Sequence, residues 1–249
     1  MATTAVTPMA SSSDASTYTP AQIRAAYGLP ALPTVGSTLT PTQAAQMGAG
    51  QTIYIIAAMH DPNIAAELNA FNQKFDLPAC TTTTISATAR LPLATATSSG
   101  CEFSVVYNTS SGTMTSGTPA YDAAWATEMA LDVQWAHATA PLARIILIEA
   151  PEASTVGLIG AVKLANAMGP GIVSMSFGAP EGNWTPSVDS VFSMANMSYV
   201  AATGDSGAGV YWPAVSPNVL AVGGTTMTYT GNGARTEVSW SGTGGGTSL

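Results

Sequence analysis

The feature that most constrains the fold is a series of short apolar runs separated by helix-forming segments. A run that is apolar at consecutive positions is typical of a strand buried on both faces, as in a parallel sheet. The runs are Thr52–Ala58, Arg144–Glu149, Ile172–Phe177, Tyr199–Thr203 and, less clearly, Asn218–Val222. The alternation predicts an α/β fold with a mostly parallel central sheet and helices on both faces.

Helix signals lie between these runs. Thr19-Pro20 has the pattern of an N-cap followed by proline and predicts a short helix that ends at Tyr27. The remaining helices are predicted after Asp61-Pro62, from about Asp122 to Thr139, over Thr155–Met168, and from Thr185 to about Asn196. Residues 80–120 are interpreted as a long polar excursion, and residues 1–17 as a flexible N-terminal segment.

Composition excludes several classes of partner. The chain has 249 residues with 14 acidic and 6 basic side chains, which gives a formal net charge of −8. So few Lys and Arg residues are a poor match for nucleic-acid phosphates or anionic lipid. The sequence has no run of 18 apolar residues, which a membrane span requires. Met1–Ser16 lacks the basic and apolar regions of a signal peptide. We therefore expect neither a nucleic-acid partner nor a membrane-embedded segment.

Histidine and cysteine are scarce. Any histidine-based site must use His60 or His137, and we expect His60 to be a surface residue. Cys80 and Cys101 are too few for a cysteine-rich zinc site, and we expect no bound metal or cofactor. A disulfide closing the Thr/Ser-rich loop between them is the favoured interpretation, and two buried thiols are the alternative.

Glu128 and Asp132 are the first candidate catalytic residues. They lie four positions apart on a helix whose other positions from Ala123 to Ala138 are nearly all apolar, so we expect it to be buried all round. The spacing puts both carboxylates on one face, and burial of two neighbouring carboxylates raises at least one pKa, as in general acids and bases. The alternative is an exposed polar edge of the helix.

Asp205 is the third candidate. It follows a predicted strand in Gly204-Asp205-Ser206-Gly207, and ligands of parallel sheets bind at the carboxyl ends of the strands. A protonated carboxyl there can donate to a developing oxyanion, although a plain turn explains the same residues. The motif also matches the nucleophile of chymotrypsin-like proteases, but that interpretation requires an all-β fold.

Nine short motifs together resemble the catalytic domain of the sedolisin family of serine-carboxyl peptidases. They occur in the family's order along 18–249. They are Tyr18–Arg24, Gly50–Ile53, Asp61–Asn63, Phe75–Pro78, Glu128–Asp132, Ser174–Gly178, Gly204–Ala208, Trp212–Pro217 and Val222–Thr226. The resemblance implies a subtilisin-like fold, secretion, and cleavage of protein or peptide substrates in acid.

The resemblance also implies residue roles. Glu128 matches the general base, Asp132 the carboxylate that orients it, and Asp205 the oxyanion-hole acid. Ser176 and Gly178 match the strand whose backbone pairs with the substrate. A glutamate can act as a base at a pH where histidine is fully protonated.

The family's nucleophile is a Gly-Thr-Ser serine late in the domain. Ser248 follows Gly246-Thr247, but Trp240–Gly246 fits an earlier family element, so we do not expect Ser248 to be the nucleophile. On this basis residues 18–249 are a partial catalytic domain without the nucleophile and the family's C-terminal calcium site. The alternative is a non-enzymatic secreted module that binds peptides. No feature of the sequence indicates an oligomer, and we expect a monomer.

Overall fold

The structure is a computed structural model and describes residues 4–8, 17–33 and 38–248. The helices are α1 (Pro20–Ala26), α2 (Pro41–Gln46), α3 (Ile64–Lys74), α4 (Ala123–Thr139) and α5 (Thr155–Met168). The strands are β1 (Thr7–Pro8), β2 (Thr52–Ala58), β3 (Cys80–Thr82), β4 (Cys101–Asn108), β5 (Met114–Thr115), β6 (Arg144–Ala150), β7 (Gly171–Met175), β8 (Phe177–Pro180), β9 (Met197–Ala202), β10 (Tyr211–Trp212), β11 (Leu220–Val222), β12 (Thr225–Thr228) and β13 (Thr236–Ser239).

Parallel strands form the central sheet in the order β11-β9-β7-β2-β6-β4-β3, and β5 pairs antiparallel with β4 at its margin. The middle strands β2 and β6 pair from Thr52↔Arg144 to Ala58↔Ala150. Both are buried at consecutive positions, so both faces of the sheet are covered. Helices α4 and α5 pack against these strands, and α3 packs against α4. The predicted α/β architecture is confirmed.

The polar excursion predicted for residues 80–120 is wrong in its middle part. Cys101–Asn108 forms β4, a largely buried strand beside β6. Its polar side chains interrupt the apolar pattern that indicates a buried strand. In the structure, Ser104 and Asn108 have hydrogen-bond partners. The Ser104 hydroxyl is 2.8 Å from Thr83 Oγ1, and Asn108 Nδ2 donates to the Gly157 carbonyl at 3.1 Å. Polar residues can be buried in a central strand when each has a hydrogen-bond partner.

The helix predicted from Thr185 to about Asn196 is also wrong. The segment contains only two short 3₁₀ turns, Thr185–Ser187 and Asp189–Phe192. Ser, Asp and β-branched residues, which are frequent here, are poor helix formers because they bond locally to the backbone or lose rotamer freedom. The Ser193 hydroxyl, for example, donates to the Ser190 carbonyl at 2.7 Å.

The predicted flexible segment over 1–17 falls partly outside the described residues, which omit 1–3 and 9–16. The part that the structure describes is packed against the body of the protein. Thr7–Pro8 pairs antiparallel with Phe177–Gly178, and Val6 is buried. In Thr4–Pro8 the structure thus differs from the prediction, because backbone pairing and an apolar side chain hold the segment.

Cys80 and Cys101 are directly opposite each other on the parallel neighbours β3 and β4, with their Cα atoms 4.6 Å apart. The structure joins them in a disulfide, the favoured sequence interpretation. Among the described residues, no helix combines the length and the apolar character needed to cross a bilayer.

Candidate active site

Helix α4 positions two of the three candidate carboxylates. Its N-cap is Asp122, whose side chain accepts hydrogen bonds from the backbone N–H groups of Ala124 and Trp125. Glu128 is buried, at 2% exposure. The expectation that the helix is buried all round is wrong, since Leu131 is 45% exposed. The helix therefore has an outer face that includes Leu131, and Glu128 is not on that face.

Asp132 contacts the end of β7. The Ser176 hydroxyl donates to Asp132 Oδ1 at 2.6 Å, while Oδ2 is shielded from solvent and has no partner among the described residues. Burial raises the pKa of Asp132 from 3.8 to about 7, and the Ser176 hydrogen bond partly opposes this. Asp132 is therefore protonated in acid. Asp132 and Ser176 are both candidate site residues in the sequence, but the hydrogen bond between them is not predictable from it.

Asp205 lies on the turn after β9, at the carboxyl edge of the sheet that also carries Ser176. It makes no hydrogen bond to the α4 carboxylates within the described part of the chain. Partial burial raises its pKa. A loop from Ser241 to Gly246 holds the turn: Gly244 N–H donates to the Gly204 carbonyl at 2.7 Å, and Gly207 N–H donates to the Gly242 carbonyl at 2.8 Å.

The close approach of this loop gives a first prediction. A Cβ atom on Gly244 would lie 1.8 Å from the Thr203 carbonyl oxygen. Gly244→Ala is expected to lower the free energy of unfolding by about 1–3 kcal/mol or more, because the loop and the Asp205 turn must separate. Gly245→Ala is the matched control, since a Cβ there meets nothing within 4 Å. Urea denaturation of both variants checks this, and equal midpoints would contradict it.

Gly178 and the loop before α5 form the two sides of a groove. Its occupant is Thr4–Pro8, in extended conformation. Thr7 is the register partner of Gly178 on β8, and Val6 N–H donates to the Ala153 carbonyl at 3.2 Å on the opposite side. The Thr4 carbonyl accepts from Thr155 N–H at 3.2 Å. Helix α4 packs against this β1 segment, so the groove borders the candidate catalytic helix.

Ser248 does not contact the α4 carboxylates. Its hydroxyl is exposed and donates to Glu181 Oε1 at 2.6 Å. A nucleophile must lie within hydrogen-bond reach of its base, about 2.6–3.2 Å. That Ser248 is not the nucleophile stays a prediction.

Glu149 is a buried acid that the sequence analysis does not single out. Glu149 is fully buried on β6, and its Oε2 lies 2.6 Å from His60 Nδ1. Burial raises the pKa of Glu149 to about 7, and the His60 contact partly opposes this. The His60 side chain is 19% exposed, so it reaches the surface only in part. The signal was present in the sequence, since Glu149 ends an otherwise apolar run.

Potential metal ligands gather at one place in the part of the chain that the structure describes. Cys80, Cys101 and His137 form the only group of three or more. Sulfur and imidazole ligands do not suit Ca²⁺, which binds six to eight oxygen atoms.

Comparisons with known proteins give a consistent result. The model of the subtilase family matches residues 104–247, more than half of the chain. Kumamolisin from Bacillus sp. (strain MN-32) is 34% identical over 146 residues, which are 49% of this chain and 26% of that protein. A solved structure of Pseudomonas sedolisin, a serine-carboxyl proteinase complexed with two molecules of pseudo-iodotyrostatin, matches with a TM-score of 0.66 and 22% identity.

The lengths of these matches differ. The structural match covers 95% of this chain and 64% of the sedolisin chain. The chain thus spans about a quarter of the curated relative and less than two thirds of the solved structure. The subtilisin-like fold that the motifs implied is confirmed, and the similarity to kumamolisin agrees with the resemblance to sedolisins.

Proposed function

This chain belongs to the subtilase family, and from that premise we propose that it supplies the acid–base part of a serine-carboxyl endopeptidase that works in acid. The observation that carries the proposal is the pair of acids on α4, buried Glu128 and Asp132 with its shielded Oδ2, on a helix that borders a groove that accepts extended backbone. We further propose protein or peptide substrates, a secreted monomer, and no required cofactor.

The proposed chemistry gives each residue one task. Glu128 takes the proton of the nucleophilic serine hydroxyl as its oxygen bonds to the peptide carbonyl carbon, and then passes it to the leaving amine. Water hydrolyses the resulting ester by the same proton route. Asp132, which holds its proton in acid, donates toward Glu128 and favours its ionised, basic form. Protonated Asp205 donates to the oxyanion.

Substrate binding is proposed to use the groove. An extended peptide adds to β8, with its backbone paired to Gly178 and to the loop at Ala153. The intramolecular segment Thr4–Pro8 supports this, because it makes those contacts in the structure. The nucleophile is proposed to lie outside the described residues, since Ser248 bonds to Glu181.

A peptide-binding module without catalysis is the second candidate, favoured by the occupied groove and by the position of Ser248. One assay separates the two. The protein that carries this chain is incubated with a fluorescently labelled, denatured protein near pH 4 and near pH 7. Faster release of fragments near pH 4 supports the peptidase, whereas saturable binding without fragments supports the module.

Occupation of the groove leads to a second prediction. A chain that begins at residue 17 should bind a labelled peptide with the sequence of residues 3–8 at least about 10-fold more tightly than the full chain. The reason is that the tethered segment competes at an effective concentration in the millimolar range. Fluorescence anisotropy measures both dissociation constants.

The peptide itself provides matched controls for this prediction. Val6→Asp in the peptide should weaken binding about 10-fold or more, because it buries a carboxylate where Val6 is 4% exposed. Thr7→Asp adds the same charge at an exposed position and should have little effect. Equal losses for the two peptides would show that the groove does not hold the segment in this register.

A further inference from the structure

A buried cluster of sulfur and imidazole groups lies outside the proposed peptidase site. Cys80 on β3, Cys101 on β4 and His137 near the end of α4 are 6%, 3% and 0% exposed. Both sulfurs and a ring nitrogen of His137 lie within 4.8 Å of one another. In the structure the two sulfurs form a disulfide. Neither the disulfide nor the proposed peptidase mechanism requires the histidine.

The histidine is held as a metal-ligating histidine usually is. Its Nε2–H donates to the Pro78 carbonyl at 2.8 Å, and this fixes the tautomer in which Nδ1 carries a lone pair. Nδ1 is buried and has no hydrogen-bond partner among the described residues. Histidine ligands typically donate their second nitrogen to a backbone carbonyl in this way.

We propose that reduction of the Cys80–Cys101 disulfide creates a buried site for one thiophilic divalent cation, such as Zn²⁺, bound by both thiolates and His137 Nδ1. A phosphine reductant and one water convert the disulfide to two thiols and a phosphine oxide. The cation then displaces the two thiol protons. Disulfide and metal site exclude each other, because the same sulfur atoms form either the S–S bond or the bonds to the metal.

Geometry and charge both favour this occupant. Ligands bound to one zinc ion at about 2.0–2.3 Å lie roughly 3–4 Å from one another. The two sulfurs must therefore move apart once the S–S bond is broken, whereas their separations from the His137 ring nitrogen, at most 4.8 Å, are already close to that range. Two thiolates balance the charge of the ion, and neutral His137 adds none. The filled site is therefore neutral overall, which suits a buried position where an unpaired charge is costly. A water takes the fourth position.

Cobalt(II) is a suitable probe because tetrahedral thiolate coordination gives it strong absorption. The reduced full chain is titrated with Co²⁺ at neutral pH, and the oxidised chain serves as a reference. We expect one equivalent to produce a sulfur-to-cobalt charge-transfer band and visible tetrahedral bands, which excess Zn²⁺ removes. The oxidised chain should show neither band. Equal spectra for the two redox states would overturn the proposal.

Variants identify the ligands. Cys80→Ser with Cys101→Ser should abolish the bands, His137→Gln should weaken or shift them, and the matched control His60→Gln should leave them unchanged. A second measurement needs no variant to fold. Zn²⁺ should slow alkylation of both cysteines in the reduced wild-type chain by about 10-fold or more. Unslowed alkylation, or full bands in His137→Gln, would contradict the proposed ligand set.

Discussion

The free energy of unfolding of this chain is expected to fall as the pH rises from about 4 to about 7. Burial raises the pKa of Asp132 from 3.8 to about 7 and that of Glu149 from 4.5 to about 7. Within this range the unfolded chain releases protons that the folded chain retains. Stability then decreases with pH by up to about 1.4 kcal/mol per pH unit for each such group.

The sign follows from the direction of the shifts. Below the unfolded pKa values of Asp132 and Glu149 both states hold these two protons, and the contribution of the two carboxyl groups to stability is fully present. Above about pH 7 the folded state must hold a buried carboxylate with one orphan oxygen, Asp132 Oδ2. The loss for Asp132 alone is on the order of a few kcal/mol. This pH dependence would suit the proposed activity in acid.

Urea denaturation midpoints at several pH values between 4 and 7 measure the effect. Asp132→Asn should reduce the slope, since an amide does not ionise and its oxygen still accepts from Ser176. Asp76→Asn removes the same charge at an exposed position, so it controls for the change in net charge. A slope that Asp132→Asn and Asp76→Asn change equally would assign the effect to net charge rather than to burial of Asp132.

The strands that sequence predicted best are those buried on both faces. The predicted strand Thr52–Ala58 has the same bounds as β2. Burial on both faces requires apolar side chains at consecutive positions, and this pattern is visible in the sequence. Strand β4 is not predicted from the sequence because it contains the polar residues Ser104 and Asn108. Their hydrogen-bond partners, Thr83 and Gly157, are distant in sequence. A local pattern contains no information about such partners, so the strand was interpreted as loop.

In the candidate site, too, local features are predictable from the sequence and long-range contacts are not. Glu128 and Asp132 were found from local spacing on one helix and from the scarcity of charge around them. The Ser176–Asp132 hydrogen bond joins α4 to the end of β7 and depends on how helix and sheet pack. The pairing of Thr7 with Gly178 joins residues that are far apart in sequence, and no motif in Thr4–Pro8 signals it. Contacts of this kind require the assembled fold.

Glu128→Gln is expected to lower kcat for peptide-bond hydrolysis about 10²–10⁴-fold in the protein that carries this chain. Glutamine has nearly the same shape, but it cannot accept the serine proton. The KM should change little, because the substrate is proposed to bind through the backbone at β8 and Ala153 rather than through Glu128. Initial rates on a labelled peptide near pH 4 give both constants. Glu102→Gln, a partly exposed glutamate on β4, is the matched control.

Stability distinguishes a catalytic Glu128 from a structural one. Glutamine has nearly the volume of glutamate and keeps one oxygen that can accept a hydrogen bond, so replacement of a catalytic glutamate by glutamine should leave the unfolding midpoint nearly unchanged. A residue that only held α4 in place would lose stability and activity together. Full activity in Glu128→Gln would remove the base from the proposal, and an equal loss in Glu102→Gln would trace the effect to charge. A large fall in kcat with an unchanged midpoint is the result that only the proposed proton transfer explains.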